Sequence, residues 1–164
     1  MKYEVINELD NFSYHDAEVD TIEFVSGSMI WKTDGINATK SNSQNTYPKD
    51  MCIDEAIIIL DSVLISKIVI LGYKRYQNKK LIYERPEVEA EESEYEDIFK
   101  EICENRSYIY GMYDYVEVND RFEARFEVDS WIETYQISVS FEQSTVKWNK
   151  FYGEVWYEDP KWKK

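Results

Sequence analysis

Histidine is almost missing from this chain: His15 is the only one among 164 residues. Proline occurs three times, glycine five times and cysteine twice, and cations fall far short of carboxylates, nineteen against thirty-three. Each shortage excludes something. A single imidazole cannot furnish the histidine-rich ligand set of a two-metal phosphohydrolase, although His15-Asp16 spells the pair for which one such superfamily is named. Neighbouring strand residues also point to opposite faces, so these two could not grip one ion. Cys52 and Cys103 form no CxxC and have no ligand-type spacing to His15, so no metal site and no cofactor is expected. Two distant cysteines in a chain of this size read as free, mostly buried thiols.

Long apolar runs are lacking too. The longest candidate, AIIILDSVLISKIVILGY, is interrupted by Asp61, Ser62, Ser66 and Lys67. A membrane span needs about 20 mostly apolar residues, so no membrane association is expected. The opening MKYEVINELDNF has no apolar core of the kind a secretion signal carries, which predicts a cytoplasmic protein. No GxSxG elbow, P-loop, GxGxxG or EF-hand loop is present. A serine triad would have to use His15, which reads better as the entry to the first long strand. Asp54-Glu55, Glu133 or Glu154 could make an acid/base pair, but among thirty-three carboxylates some pair always suggests itself. The expectation is a protein without catalytic residues.

What the chain does have is negative charge and aromatic bulk. The net charge is −14, and 16% of residues are aromatic, tyrosine alone accounting for fourteen. The charge repels nucleic acid and anionic lipid and draws basic partners from a distance. Tyrosine, tryptophan and β-branched residues suit half-buried pleated surfaces.

Patterning agrees. Residues 16–25 alternate imperfectly, VSGS supplies a turn, and MIWKTDGIN returns as a second strand. Residues 37–50 form a polar, turn-rich loop, expected to be mobile at that length. Residues 52–60 and 63–72 carry unbroken apolar runs, which predicts central strands covered on both faces. SEYEDIFKEICENR places Tyr95, Ile98, Phe99, Ile102 and Cys103 on one stripe of a helix near 93–105, with Ser93 and Glu96 as a capping box.

In the last third, Phe122, Ala124, Phe126 and Val128 alternate with Arg121, Glu123, Arg125 and Glu127, after an Asn119-Asp120 turn. Trp131, Tyr135, Ile137, Val139 and Phe141 are expected to share the next dry face, with Val146 and Trp148 continuing. The sum is one α+β domain over 1–164: about eight strands of predominantly antiparallel sheet, open or barrel-like, with one main amphipathic helix.

The elements FSYHD, a hairpin return with DG, EAIIILDSVLISKIVI and the closing VKWNKFYGEVWY resemble families of small uncharacterised proteins from Gram-positive bacteria, several classed with polymorphic-toxin immunity proteins. That resemblance carries no catalytic residues with it.

Two functions are therefore expected as alternatives. The first is a non-enzymatic binding protein, an immunity-type inhibitor of a basic toxin. Glu94, Asp97, Glu101, Glu123 and Glu127 would meet the partner's cations, and Tyr110 and Tyr113, from the tyrosine-rich SYIYGMYDYVEV, would anchor it. The second is a small-molecule-binding β-domain whose cavity is lined by Trp131, Tyr135, Phe141 and Trp148.

Overall fold

A computed structural model describes residues 1–15, 17–155 and 157. It is an antiparallel α+β structure. The strands are β1 (Tyr3–Ile6), β2 (Phe12–Ser13), β3 (Ala17–Val25), β4 (Ser28–Asp34), β5 (Asn37–Ala38), β6 (Met51–Ile53), β7 (Ala56–Asp61) and β8 (Leu64–Ile70). They continue as β9 (Tyr73–Gln77), β10 (Lys80–Arg85), β11 (Val88–Glu89), β12 (Ser107–Val118), β13 (Arg121–Asp129), β14 (Thr134–Phe141), β15 (Gln143–Trp148) and β16 (Phe151–Glu154). Among the described residues there is one α-helix, α1 (Tyr95–Glu104), preceded by a turn of 3-10 helix at Glu92–Glu94.

Ten strands make the main sheet, in the order β1-β15-β7-β4-β3-β12-β13-β14-β8-β11. Among the described residues sixteen strands are present where about eight were expected for the whole chain, because short pairings such as β1 and β11 leave little trace in an alternation pattern. A four-stranded patch, β16-β6-β5-β2, and a separate ribbon, β9-β10, complete the fold.

The sheet is open, yet it curls until its halves face each other. Its hinge is one bent pair of strands. β7 and β8 are separated only by Ser62-Val63, and β14 and β15 only by Glu142. Pairing runs from Ser140 opposite Leu64 to Gln143 opposite Asp61, three residues along each strand. The register therefore passes through the corner unbroken. Ser62 (φ 52°) takes the bend, with Glu142 N donating to Asp61 O at 2.9 Å. The result is visible in the core: Trp31 of β4 and Phe126 of β13 lie 5.1 Å apart by ring centroids. Three strand spacings would hold them roughly 14 Å apart in a flat sheet.

The interior is rich in aromatic contacts. Trp148 touches Tyr3, Phe12 and Phe151, while Phe126 is met by Tyr14 and Trp31. Trp31, Trp148, Tyr135, Phe126 and Phe141 are the largest fully buried side chains. Fully burying a large apolar side chain contributes about 1.5–3 kcal/mol, so each of these five is a substantial part of the folding energy. The helix lies against the curl with Ile98, Phe99 and Ile102 buried, and Phe99 meets Phe24 of β3 edge to face at 5.1 Å.

Several local expectations need correction. The capping box is formed by Glu91 and Glu94 on the 3-10 turn that leads into α1, not by Ser93 and Glu96, with Glu91 N donating to Glu94 Oε2 at 2.8 Å. The imperfect alternation of β3 reflects a bulge between Val19 and Thr21, which brings Ala17, Val19 and Ile22 to one buried face. β8 is not central: it is second from the sheet edge, and Leu64 is exposed. Its apolar run reflects the corner and the helix, not cover on two faces.

The 37–50 segment is firmly tied. Asn45, itself buried, donates through Nδ2 to the carbonyls of Ala38, Thr39 and Lys49, and its Oδ1 accepts from Tyr47 N. Glu8 Oε2 accepts from Ser43 N at 2.9 Å. Trp131 does not share the Tyr135 face. It sits in the turn between β13 and β14, almost wholly in solvent.

Candidate functional site

The candidate site grows from the β13–β14 connection, Asp129 to Thr134. Here a polar knot holds apolar side chains outward. Ser130 is buried, and its Oγ donates to Glu101 Oε1 of the helix at 2.7 Å. The same oxygen accepts from Ile132 N at 3.2 Å and Glu133 N at 2.9 Å, while Ser130 N donates to Glu133 O at 2.7 Å. Tyr135 joins beneath, its hydroxyl pushed well above the usual phenol range by burial and by its hydrogen bond to Glu101. With Ser130 and the Ile132 and Glu133 amides turned inward, Trp131 and Ile132 are left outside, at 86% and 64% exposure. A tryptophan so exposed on a rigid turn is an unusual placement, since tryptophan is highly buried on average.

Beside it opens a cleft of about 590 Å³. Its floor and walls include Tyr110 of β12, Glu127 and Asp129 of β13, and Tyr73 and Arg85 at the root of the β9-β10 ribbon. Arg85 is clamped in place. Both terminal nitrogens of its guanidinium close on the Glu133 carboxylate, one also donates to Leu71 O at 2.9 Å, and the group lies 4.9 Å from the Tyr73 ring. This planar, bidentate pairing ties the ribbon to the Trp131 turn. The cleft thus combines exposed aromatics with carboxylates on a scaffold that fixes both.

Of the side chains expected at a partner interface, Tyr110 and Glu127 line this cleft, and Glu101 supports it from beneath through Ser130. The remainder lie apart. Tyr113 and Glu123 are farther along the β12-β13 hairpin, where the Arg125 guanidinium covers the Tyr113 ring at 5.3 Å. Glu94 and Asp97 are on the solvent side of the helix segment. Of the four residues expected to line a ligand cavity, Tyr135, Phe141 and Trp148 are core, and Trp131 alone faces solvent.

Candidate catalytic residues are dispersed. His15 is exposed in the turn before β3, its ring 6.2 Å from Tyr110, and Asp16 lies outside the described residues. Asp54 is buried and its Oδ1 accepts from Asn149 N and Lys150 N, which makes it the cap of the β15-β16 connection. Glu133 is held by Arg85 and Glu154 by Lys49. Among the described residues no group of three or more His, Cys, Asp or Glu is placed to hold a metal ion. Cys52 and Cys103 are free thiols, half-buried, and burial pushes both upward from the ordinary cysteine range.

Tyr73, Arg85 and Ile132 were not legible as site residues. The signals were present: YKRYQNKKLIYER has strand formers around an Asn-Lys turn, and DSWIET breaks the alternation on either side of it. Among the described residues no helix is long and apolar enough to cross a membrane. Set against known proteins, the chain matches no family model, no curated protein and no solved structure.

Proposed function

We propose that this is a non-enzymatic, cytoplasmic binding protein that captures a basic protein partner through the Trp131 cleft, as an immunity-type inhibitor would capture a basic toxin. One observation carries the reading: a solvent-exposed Trp-Ile pair on a hydrogen-bonded turn beside carboxylates. Exposed tryptophan, tyrosine and arginine are the residues that most often dominate interface energies, and they do so when already ordered. Trp131 and Ile132 would enter an apolar pocket on the partner. Glu127 and Asp129 would pair with cations at its rim. The −14 charge would speed encounter, and the anchors would set residence time.

The cavity-binding alternative has less in its favour, because Tyr135, Phe141 and Trp148 are taken up by the core. Trp131→Ala supplies the test, with the basic product of an adjacent reading frame as partner. Truncating an interface anchor costs about 2–4 kcal/mol, so affinity should fall roughly 30-fold or more while the thermal midpoint stays put. Wild-type association should also slow steeply with salt. A Trp131→Ala protein that binds at full strength would overturn the assignment.

A further inference from the structure

The ribbon formed by β9 and β10 differs from the rest of the molecule in charge. Residues 73–85 hold five cations and one carboxylate, a net +4 within a chain of net −14, so the other residues together carry −18. All of β9, and all of β10 except the half-buried Arg85, is exposed. A two-stranded ribbon standing alone is marginal in water, so one with no layer on either face is an unpartnered surface.

Its two faces are not alike. Cross-strand partners share a face, so the pairs Tyr73–Arg85, Arg75–Tyr83 and Gln77–Lys80 mark one side, and Lys74–Glu84 and Tyr76–Leu81 the other. On the second side Lys74 is neutralised by Glu84 at 2.8 Å. On the first side Arg85 is held by Glu133, which leaves Arg75 and Lys80 as its unneutralised cations, interleaved with the Tyr73–Tyr83 ring pair at 5.3 Å. Arg75, Lys79 and Lys80 have no carboxylate partner among the described residues.

The complementary surface follows at once in the chain. Residues 87–104 contain nine carboxylates and one lysine. Glu92, Glu96 and Asp97 project from the solvent side of the helix segment, opposite the buried Ile98, Phe99 and Ile102, with no ion-pair partner among the described residues. No ion pair joins ribbon and helix within one chain among the described residues. Their dimensions match: five strand residues extend about 17 Å and ten helical residues about 15 Å.

The geometry points to a second copy of this chain as the ribbon's occupant. Its Arg75/Lys80 face docks on the acidic outer face of the other copy's α1, reciprocally, in a two-fold dimer. A two-fold arrangement engages both ribbons and both helices, so the charge segregation is used twice. It goes beyond the capture of a basic protein, which uses the Trp131 cleft.

Sedimentation equilibrium at about 50 mM and about 500 mM salt tests this, since the Debye length shortens several-fold over that range. Wild type should be dimeric at low salt, with a dissociation constant at least tenfold weaker at high salt. Arg75→Glu/Lys80→Glu, on exposed sites that leave the circular dichroism spectrum unchanged, should be monomeric at both. Mixing it with Glu96→Lys/Asp97→Lys should restore dimer, as a heterodimer. Wild type that stays monomeric at about 100 µM in low salt overturns the proposal, as does a ribbon double variant that remains dimeric. A monomer whose ribbon retains a single-stranded oligonucleotide probe overturns it in favour of nucleic acid.

Discussion

Ser130→Ala perturbs the site without touching any exposed side chain. The hydroxyl removed is a buried hub: it donates to Glu101 Oε1 and accepts from the amides of Ile132 and Glu133. A hydrogen bond to a charged group is worth about 1.5–3 kcal/mol net. The two amides lose an acceptor, but both lie near the surface where water can replace it, so they add about 1 kcal/mol together. The working figure is thus about 3 kcal/mol. For a chain of this length 1 kcal/mol moves the midpoint by about 2–4 °C, which gives a fall of roughly 6–12 °C. Ser130→Thr, which keeps the oxygen, should recover most of it. Differential scanning calorimetry reads the midpoint, and hydrogen exchange at Ile132 and Glu133 reads the knot itself, where protection should fall in the alanine variant only. If Ser130→Ala melts within about 2 °C of wild type and protection is unchanged, the knot does not hold the Trp131 turn, and the case for a preorganised anchor falls with it.

Other outcomes follow from the same contacts. Asn45→Asp should destabilise by about 2–4 kcal/mol in urea titrations, because it sets an oxygen where Nδ2 now faces three carbonyls, and should do so less at pH 3 than at pH 7. Gly72→Ala should disorder the root of the ribbon: a Cβ there would collide with the Arg85 carbonyl and lie 2.6 Å from Glu87 N, so limited trypsin digestion at Lys79-Lys80 should accelerate. Burial raises both thiols, leaving less thiolate at any given pH, so Cys52 and Cys103 should react with a disulfide reagent at pH 8 more slowly than free cysteine and reach its rate on unfolding. Tyr14, Tyr115 and Tyr135 are all raised by burial, Tyr115 to about 12. The unfolded chain ionises its tyrosines near pH 10 while these stay neutral in the fold, so their stabilisation is full below pH 10 and is lost as pH climbs toward 12 and beyond. A urea midpoint that is flat from pH 9 to 11.5 would contradict that.

Legibility in the sequence tracked how strictly a residue obeyed a period. Phe126 and Val128 alternate with charged neighbours, and both are buried as that pattern requires. Asn119 and Asp120 take the positive φ of the predicted two-residue turn. The helix stripe from Ile98 to Ile102 was equally plain. What resisted reading were places where geometry departs from period. The bulge at Val19/Thr21 swaps faces in mid-strand, and the corner at Ser62 converts two apolar runs into one bent ladder. Asn45 is one polar residue in a polar stretch, and nothing in composition reveals that its amide meets three carbonyls. The site was half visible for the same reason: Tyr110 and Glu127 stood out by type, whereas Trp131 read as a strand residue because it precedes one.

The curl of the sheet decides where a binding surface can lie. Bending the β7-β8 and β14-β15 pair brings two aromatic faces together, and the contacts of Trp31, Phe126, Tyr14 and Trp148 fill the space between them. The helix covers more of the inner surface with Ile98, Phe99 and Ile102. Outward positions on β13 and β14 are polar or charged, from Glu123 and Arg125 to Ser138 and Ser140, and so offer little apolar area. Two groups of large apolar side chains left in solvent lie where chain direction changes or stand apart from the main sheet: Trp131 and Ile132 in their turn, and Tyr73, Tyr76, Leu81, Ile82 and Tyr83 on the ribbon. Arg85 and Glu133 join these two regions through the strongest side-chain pairing geometry available to a carboxylate. Such a link transmits orientation: whatever docks on the ribbon constrains the cleft beside it. Dimerisation through the ribbon and capture at Trp131 should accordingly be coupled, and Arg85→Lys, which keeps the charge but not the fork, should weaken that coupling while leaving each event in place.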